Sequence, residues 1–184
     1  MLLILAWLPV AFAAWYVLAP VLLWPAQRLA TVVAHGAFGD IVRAVDAQGA
    51  TLSFVTTLKA GRADAAGVLT VDVNMLLYSF GLPLFVALTL AAGEPRRGRA
   101  LLIGYAAMLP FIAWGVLADF LKNVAITAPA LVASQTGFSA LDRDMIAFAY
   151  QFGSLILPSV VPAVAWVLTH RAFLERMRAA RRGG

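Results

Sequence analysis

The stretch YQFGSLILPSVVPAVAW, residues 150–166, decides how this chain is read. It is apolar enough for a lipid bilayer, yet it holds Gln151, Gly153, Ser154, Ser159 and two prolines four residues apart, Pro158 and Pro162. On a helix of 3.6 residues per turn, Ala147, Gln151, Ser154, Pro158, Pro162 and Ala165 fall on one side. Ile146, Ile156, Val160, Val164 and Val167 fall opposite. The prolines remove the N–H groups that would bond the carbonyls of Ser154 and Pro158. Carbonyls left open to hydrocarbon are costly unless something covers them. The polar stripe is therefore expected to face protein or trapped water. Small residues there let a second helix approach, and Gln151 can bond across.

Composition agrees. The chain has 184 residues, 62% hydrophobic and only 12% charged, where a soluble domain carries roughly a quarter charged residues. An integral membrane protein of one domain, residues 1–184, is expected. The net charge is +5, but the basic residues cluster beside apolar runs. Arg96, Arg97 and Arg99 form one group; Arg171, Arg176, Arg178, Arg181 and Arg182 form another. They read as orientation signals, and no nucleic-acid partner is expected. No cysteine is present, which excludes disulfides, cysteine nucleophiles and thiolate metal sites.

Four apolar runs predict four transmembrane helices, at about 2–24, 75–93, 100–118 and 145–169. A bilayer core needs about 20 helical residues, so the second and third runs are marginal. The first run has no basic start and continues past its small-residue stretch at 11–14. It reads as a retained helix, not a cleaved signal. Eight of the 14 basic residues lie in 94–99 and 171–184. These segments, the loop 94–99 and the tail 170–184, are placed in the cytoplasm, with both termini on that side of the membrane. Residues 25–74 and 119–144 then lie outside.

The first outer loop has structure of its own. Leu29, Val32, Val33, Ala37, Ile41 and Val45 recur at helical spacing over residues 25–49, predicting an amphipathic helix in the interface plane. TLSFVTTL (51–58) and VLTVDV (68–73), separated by KAGRADAAG (59–67), predict a β-hairpin. The expected class is an all-α membrane protein whose outer loop carries that helix and hairpin.

Other spans repeat the opening theme. Pro9, Pro20, Pro83 and Pro110 lie in apolar runs, and Asn74, Tyr78 and Gly81 share a face at i, i+4, i+7. Two readings fit the stripes: packing devices of a small bundle, or a groove that receives another membrane segment. The candidate partner face is Asn74, Tyr78, Gly81, Gln151, Ser154, Pro158 and Pro162.

Catalytic equipment is not evident. His170 reads as a flank residue snorkelling beside the arginine tail. His35 with Asp40 is short of a metal set. Asp119 is expected to pair with Lys122, at i+3, at the outer interface. No serine has a His–Asp partner set. No catalytic, metal or cofactor site is assigned, and an enzyme is not expected. A small transporter or channel subunit is the alternative, but it wants a deep intramembrane charge that the spans lack.

VDVNMLLYSFGLPLF (71–85), GVLADFLKNVA (115–125) and the opening stretch resemble the exosortase H-associated membrane proteins. WLPVAFAAWYVLAP (7–20) and HRAFLERM (170–177) extend the resemblance over most of the chain. It implies a small multi-pass accessory in a bacterial inner membrane, serving a system that sorts C-terminally tagged secreted proteins. It implies as partners an exosortase, a polytopic enzyme that uses a cysteine, and the tagged substrate. A chain without cysteine is not that enzyme. Its oligomeric state is left open.

Overall fold

The computed structural model describes residues 2–59, 67–93, 95, 97–171, 173–175 and 179. Arg96, Arg176, Arg178, Arg181 and Arg182, and positions 60–66 of the hairpin connection, lie outside the described residues.

The chain opens with α1 (Leu2–Leu22) and, one residue on, α2 (Trp24–Phe38), with Pro25 in the first turn where its missing N–H is harmless. Three strands follow: β1 (Val42–Gln48), β2 (Thr51–Lys59) and β3 (Val68–Asn74). Next come a short helix α3 (Leu76–Ser79), α4 (Gly81–Ala92) and α5 (Arg97–Lys122). The last passes into a wide π-helical turn, Asn123–Thr127. A connecting turn α6 (Ala130–Ala133) leads to α7 (Ala140–Gln151), a second π-helical turn at Phe152–Ile156, and α8 (Leu157–Thr169). Ser139 and Asp142 cap α7 reciprocally, at 3.2 and 2.8 Å.

Among the described residues, three helices are long and apolar enough to cross a membrane: Leu5–Leu22, Arg97–Thr127 and Ala140–Thr169. The second apolar run forms the shorter helical stretch Leu76–Ala92. At 1.5 Å per residue it is about 26 Å long, near the lower limit for a crossing. It is also the most enclosed, with Gly81, Leu82, Pro83, Phe85, Ala87 and Thr89 buried. It packs between α1, α5 and α8.

The outer loop departs from expectation in two ways. Residues 42–48, assigned above to the amphipathic helix, form a strand. β1 pairs antiparallel with β2 from Val42↔Thr56 to Gln48↔Thr51, with an irregularity between Val42 and Ala44, and these backbone bonds together with burial of Val42 replace the helix that the spacing suggests. The pair is closed by Gly49–Ala50, where Gly49 takes a φ of +61° that a side chain would resist. β2 and β3 form the expected hairpin, so the sheet has three strands in the order β1-β2-β3.

The second departure is the face that α2 buries. Ala26, Gln27, Ala30 and Ala34 point inward, whereas Val32 is 69% exposed and Leu29 and Val33 lie partly open. Small side chains allow close contact with α5, which the branched ones would prevent. Tyr105 Oη donates to Leu22 O at 2.7 Å, and Phe38 shares a groove with Trp114 and Leu121. Hence α2 continues α1 through Leu23 and runs alongside α5 in the same direction, rather than lying across the bundle in an interface plane as expected. Gln27 Nε2 donates to Gly49 O at 2.8 Å, tying α2 to the β1–β2 turn.

The sheet turns Leu52, Phe54, Thr56 and Leu58 inward, a strict alternation. Phe54 stacks on Phe120 of α5, ring centroids 4.4 Å apart, and neither ring is exposed. At the far end of β2, the Gln135 amide grips Lys59 by both its N–H (3.0 Å) and its carbonyl (3.1 Å). Replacing the ring in Phe54→Ala should cost about 3–5 kcal/mol. Thermal unfolding in detergent will read this as a lower midpoint, and an unchanged midpoint would show that the stack does not hold the sheet.

Candidate helix-packing and partner face

The seven predicted face residues do not form one surface. Four of them meet inside the bundle or close to it. Gly81 lies against the Pro158 carbonyl oxygen and the Pro162 ring, closely enough that a Cβ would collide with both. Tyr78, three residues earlier, covers Gly115 of α5 in the same manner. Tyr78, Gly81, Pro158 and Pro162 are all buried. The carbonyl that Pro162 leaves without its helical donor is thus covered by α4. Beside it lies a cavity of about 10 Å³, room for one water. Ser79 lines it with a buried hydroxyl that has no hydrogen-bond partner among the described residues.

Asn74 stands apart. It ends β3 rather than joining a helix, is exposed, and accepts from Leu76 N–H at 3.0 Å. The shared face drawn at i, i+4, i+7 presumed helix from residue 74, whereas the helix begins after it.

Gln151 is also displaced. The wide turn at Phe152–Ile156, closed by Leu157 N–H on Phe152 O, inserts one residue relative to an α-helix. Downstream of it Pro158, Pro162 and Ala165 keep the inward side, and Val160, Val164 and Val167 stay outward, as expected. Upstream, the face slips by one position: Ile146 and Gly153 are buried, and Gln151 is exposed. Ile146 therefore lies inside, not on the far side. The cause is local. Pro158 cannot donate to Ser154, and the Ser154 hydroxyl turns back on Tyr150 O at 2.7 Å.

Gln151 consequently sits on the outer surface between Phe148, 62% exposed, and Leu155, 71% exposed. Nearby, Phe38, Trp114, Phe138, Met145 and Phe148, together with the Asp142 carboxylate, line a largely apolar groove of about 400 Å³. Trp114 Nε1 donates to Ala149 O at 3.3 Å, which fixes one wall.

A polar cluster closes the far end of α5. Lys122 Nζ lies 3.0 Å from Asp119 Oδ1 and 4.3 Å from the Tyr150 ring centroid. Asn123 Nδ2 donates to Asp119 Oδ1 at 3.0 Å and to its carbonyl at 2.8 Å, and the Tyr78 side chain lies beside the same carboxylate. Asp119 is 9% exposed, and these neighbours let a carboxylate continue an otherwise apolar helix.

His170 corrects another expectation. It does not snorkel: it is 1% exposed and stacked on Trp166 at 5.1 Å. Its Nδ1 lies 3.0 Å from both Thr169 Oγ1 and Trp166 O. His35 Nδ1 is 2.9 Å from Thr31 O, within its own helix. The residues missed above, Phe54 and Phe120, are aromatics in apolar text. Only their neighbours across the fold set them apart.

Long apolar helices joined through glycine contacts and capped by a small sheet define a helical membrane protein. The chain belongs to the exosortase H-associated membrane protein family, whose model matches residues 1–173. Neither the curated proteins nor the solved structures contain a match to it.

Asp119→Ala should cost about 2 kcal/mol, below the figure for a fully buried pair, because Lys122 keeps some water. Adding Lys122→Met should restore part of the loss. Unfolding of both single variants and the double variant in detergent measures the coupling; simple additivity would show that the pair contributes nothing.

Proposed function

We propose that this chain is a non-catalytic accessory subunit of an exosortase-type protein-sorting system, acting by lateral helix packing in the bacterial inner membrane. The observation that carries the reading is Gln151: an exposed amide set between Phe148 and Leu155 on an otherwise apolar face. An amide turned to hydrocarbon is costly, and a neighbouring helix that hydrogen-bonds it offsets that cost. The adjacent apolar groove offers a recess for a side chain of that helix. Family membership supports the exosortase as the partner.

Four crossings with both termini in the cytoplasm complete the proposal. The arginines at 96, 97 and 99 and those from 171 onward favour that orientation. Leu76–Ala92, enclosed by its neighbours, is the fourth crossing. The absence of cysteine accords with catalysis residing in the partner. A tagged sorting substrate, with its membrane tail held beside the enzyme, is the second partner in this scheme.

Co-purification from membranes in mild detergent tests this reading. The exosortase should accompany the tagged protein, and Gln151→Leu should weaken recovery about three- to tenfold, the value of one interhelical hydrogen bond. Membrane insertion should be unchanged. If the protein always emerges alone, the proposal fails; if the variant binds as well as the parent, Gln151 is not the contact.

A further inference from the structure

β3 lies at one edge of the sheet. Met75 N–H bonds Ala50 O at 2.9 Å, which fixes the alternation: Val73 and Val71 bond to β2, while Thr70 and Asp72 turn their N–H and C=O groups away from it. Against that open edge lies a cleft of about 260 Å³. Leu69, Thr70, Val71 and Asp72 form one wall, and Asn123, Thr127 and Ala128 the other. An unpaired strand edge is a template for another strand, and here a second wall stands opposite it. The cleft suits one extended chain better than the edge of a folded sheet.

Its chemistry selects the occupant. Asp72 is exposed and takes no part in the ion pair of the described residues, Lys122–Asp119, whose opposite charges offset each other behind the Asn123 wall. The Asn123 amide donates to Asp119, so toward any other partner that side chain offers its oxygen. The helical run of α5 ends here, and the last carbonyls of a helix carry partial negative charge. Both walls therefore favour donors and cations.

We propose that the β3 edge binds an extended peptide segment of about four residues carrying a lysine or arginine, by strand addition along Thr70–Asp72. This deepens the accessory reading and rests on it for a partner tethered to the same membrane. The test below needs no exosortase, so the two can fail separately.

The probe is the labelled peptide acetyl-Thr-Val-Lys-Val-Thr-amide, titrated by fluorescence anisotropy onto the full chain in detergent. Saturable binding is expected. Methylating the peptide nitrogens that face the cleft should weaken binding at least about tenfold, the equivalent of about 1.4 kcal/mol. Thr70→Pro removes an outward N–H without touching the β2 ladder, so it should have the same effect at an unchanged melting temperature. Asp72→Asn should weaken the lysine peptide about fivefold and leave its glutamine analogue unaffected. Equal affinity of the methylated peptide, or no binding to the folded protein, overturns the proposal. So does self-association of the chain that Thr70→Pro abolishes, because the edge would then serve a second copy.

Discussion

Gly81 has no side chain at the point where α4 meets the Pro158 carbonyl and the Pro162 ring, and Gly115 has none where α5 meets Tyr78. Between membrane helices the hydrophobic effect supplies little attraction, since lipid is as apolar as leucine. Association then depends on close packing. Close packing here also covers a carbonyl that proline has stripped of its donor. One contact therefore serves two needs: it draws α4 against α8, and it hides backbone that hydrocarbon would penalise. The enclosure of the short stretch Leu76–Ala92 follows from it.

The far end of α5 depends on a different constraint. The helix continues past Asp119 through Asn123–Thr127, which a carboxylate permits because Lys122 and Asn123 hold it. That extra length carries Phe120, on which Phe54 stacks. A small sheet needs a buried apolar face or a helix to pack on, and here α5 supplies it. α2 adds support through its alanine side and Gln27. The sheet is thus mounted on the bundle, leaving β3 with one edge open beside the last turn of α5.

The two surfaces proposed for partners differ in chemistry. Around Gln151 the surface is mostly apolar, with one amide and, in the adjoining groove, the Asp142 carboxylate, and it suits a helix packed in the membrane. At β3 it is rich in acceptors and backbone groups, suited to an extended chain. A protein sorted at a membrane has both kinds of segment, so the two proposals describe contacts that one accessory can make together.

Much of this was legible in the text of the chain. Long apolar runs demand helices wherever lipid surrounds them, and alternation in 51–58 and 68–73 demands strands; both follow from periodicity alone. Pro158 and Pro162 were readable as an inward stripe because helix geometry holds from 157 onward. Gln151 was not, since the wide turn after it shifts the register, and that turn reflects Pro158 and Ser154 acting on the backbone. Asn74 was misplaced because an i, i+4, i+7 pattern holds only where the helix has begun. The face of α2 was misread for another reason: periodicity marks which side is more apolar, whereas α5 selected the side that is smaller. Sequence by itself determined the membrane class, the hairpin and the prolines that must be covered, because these depend on local backbone chemistry. Tertiary structure alone decided which glycine covers them, which way Gln151 faces and which strand edge stays open, because each depends on how closely two distant segments can approach.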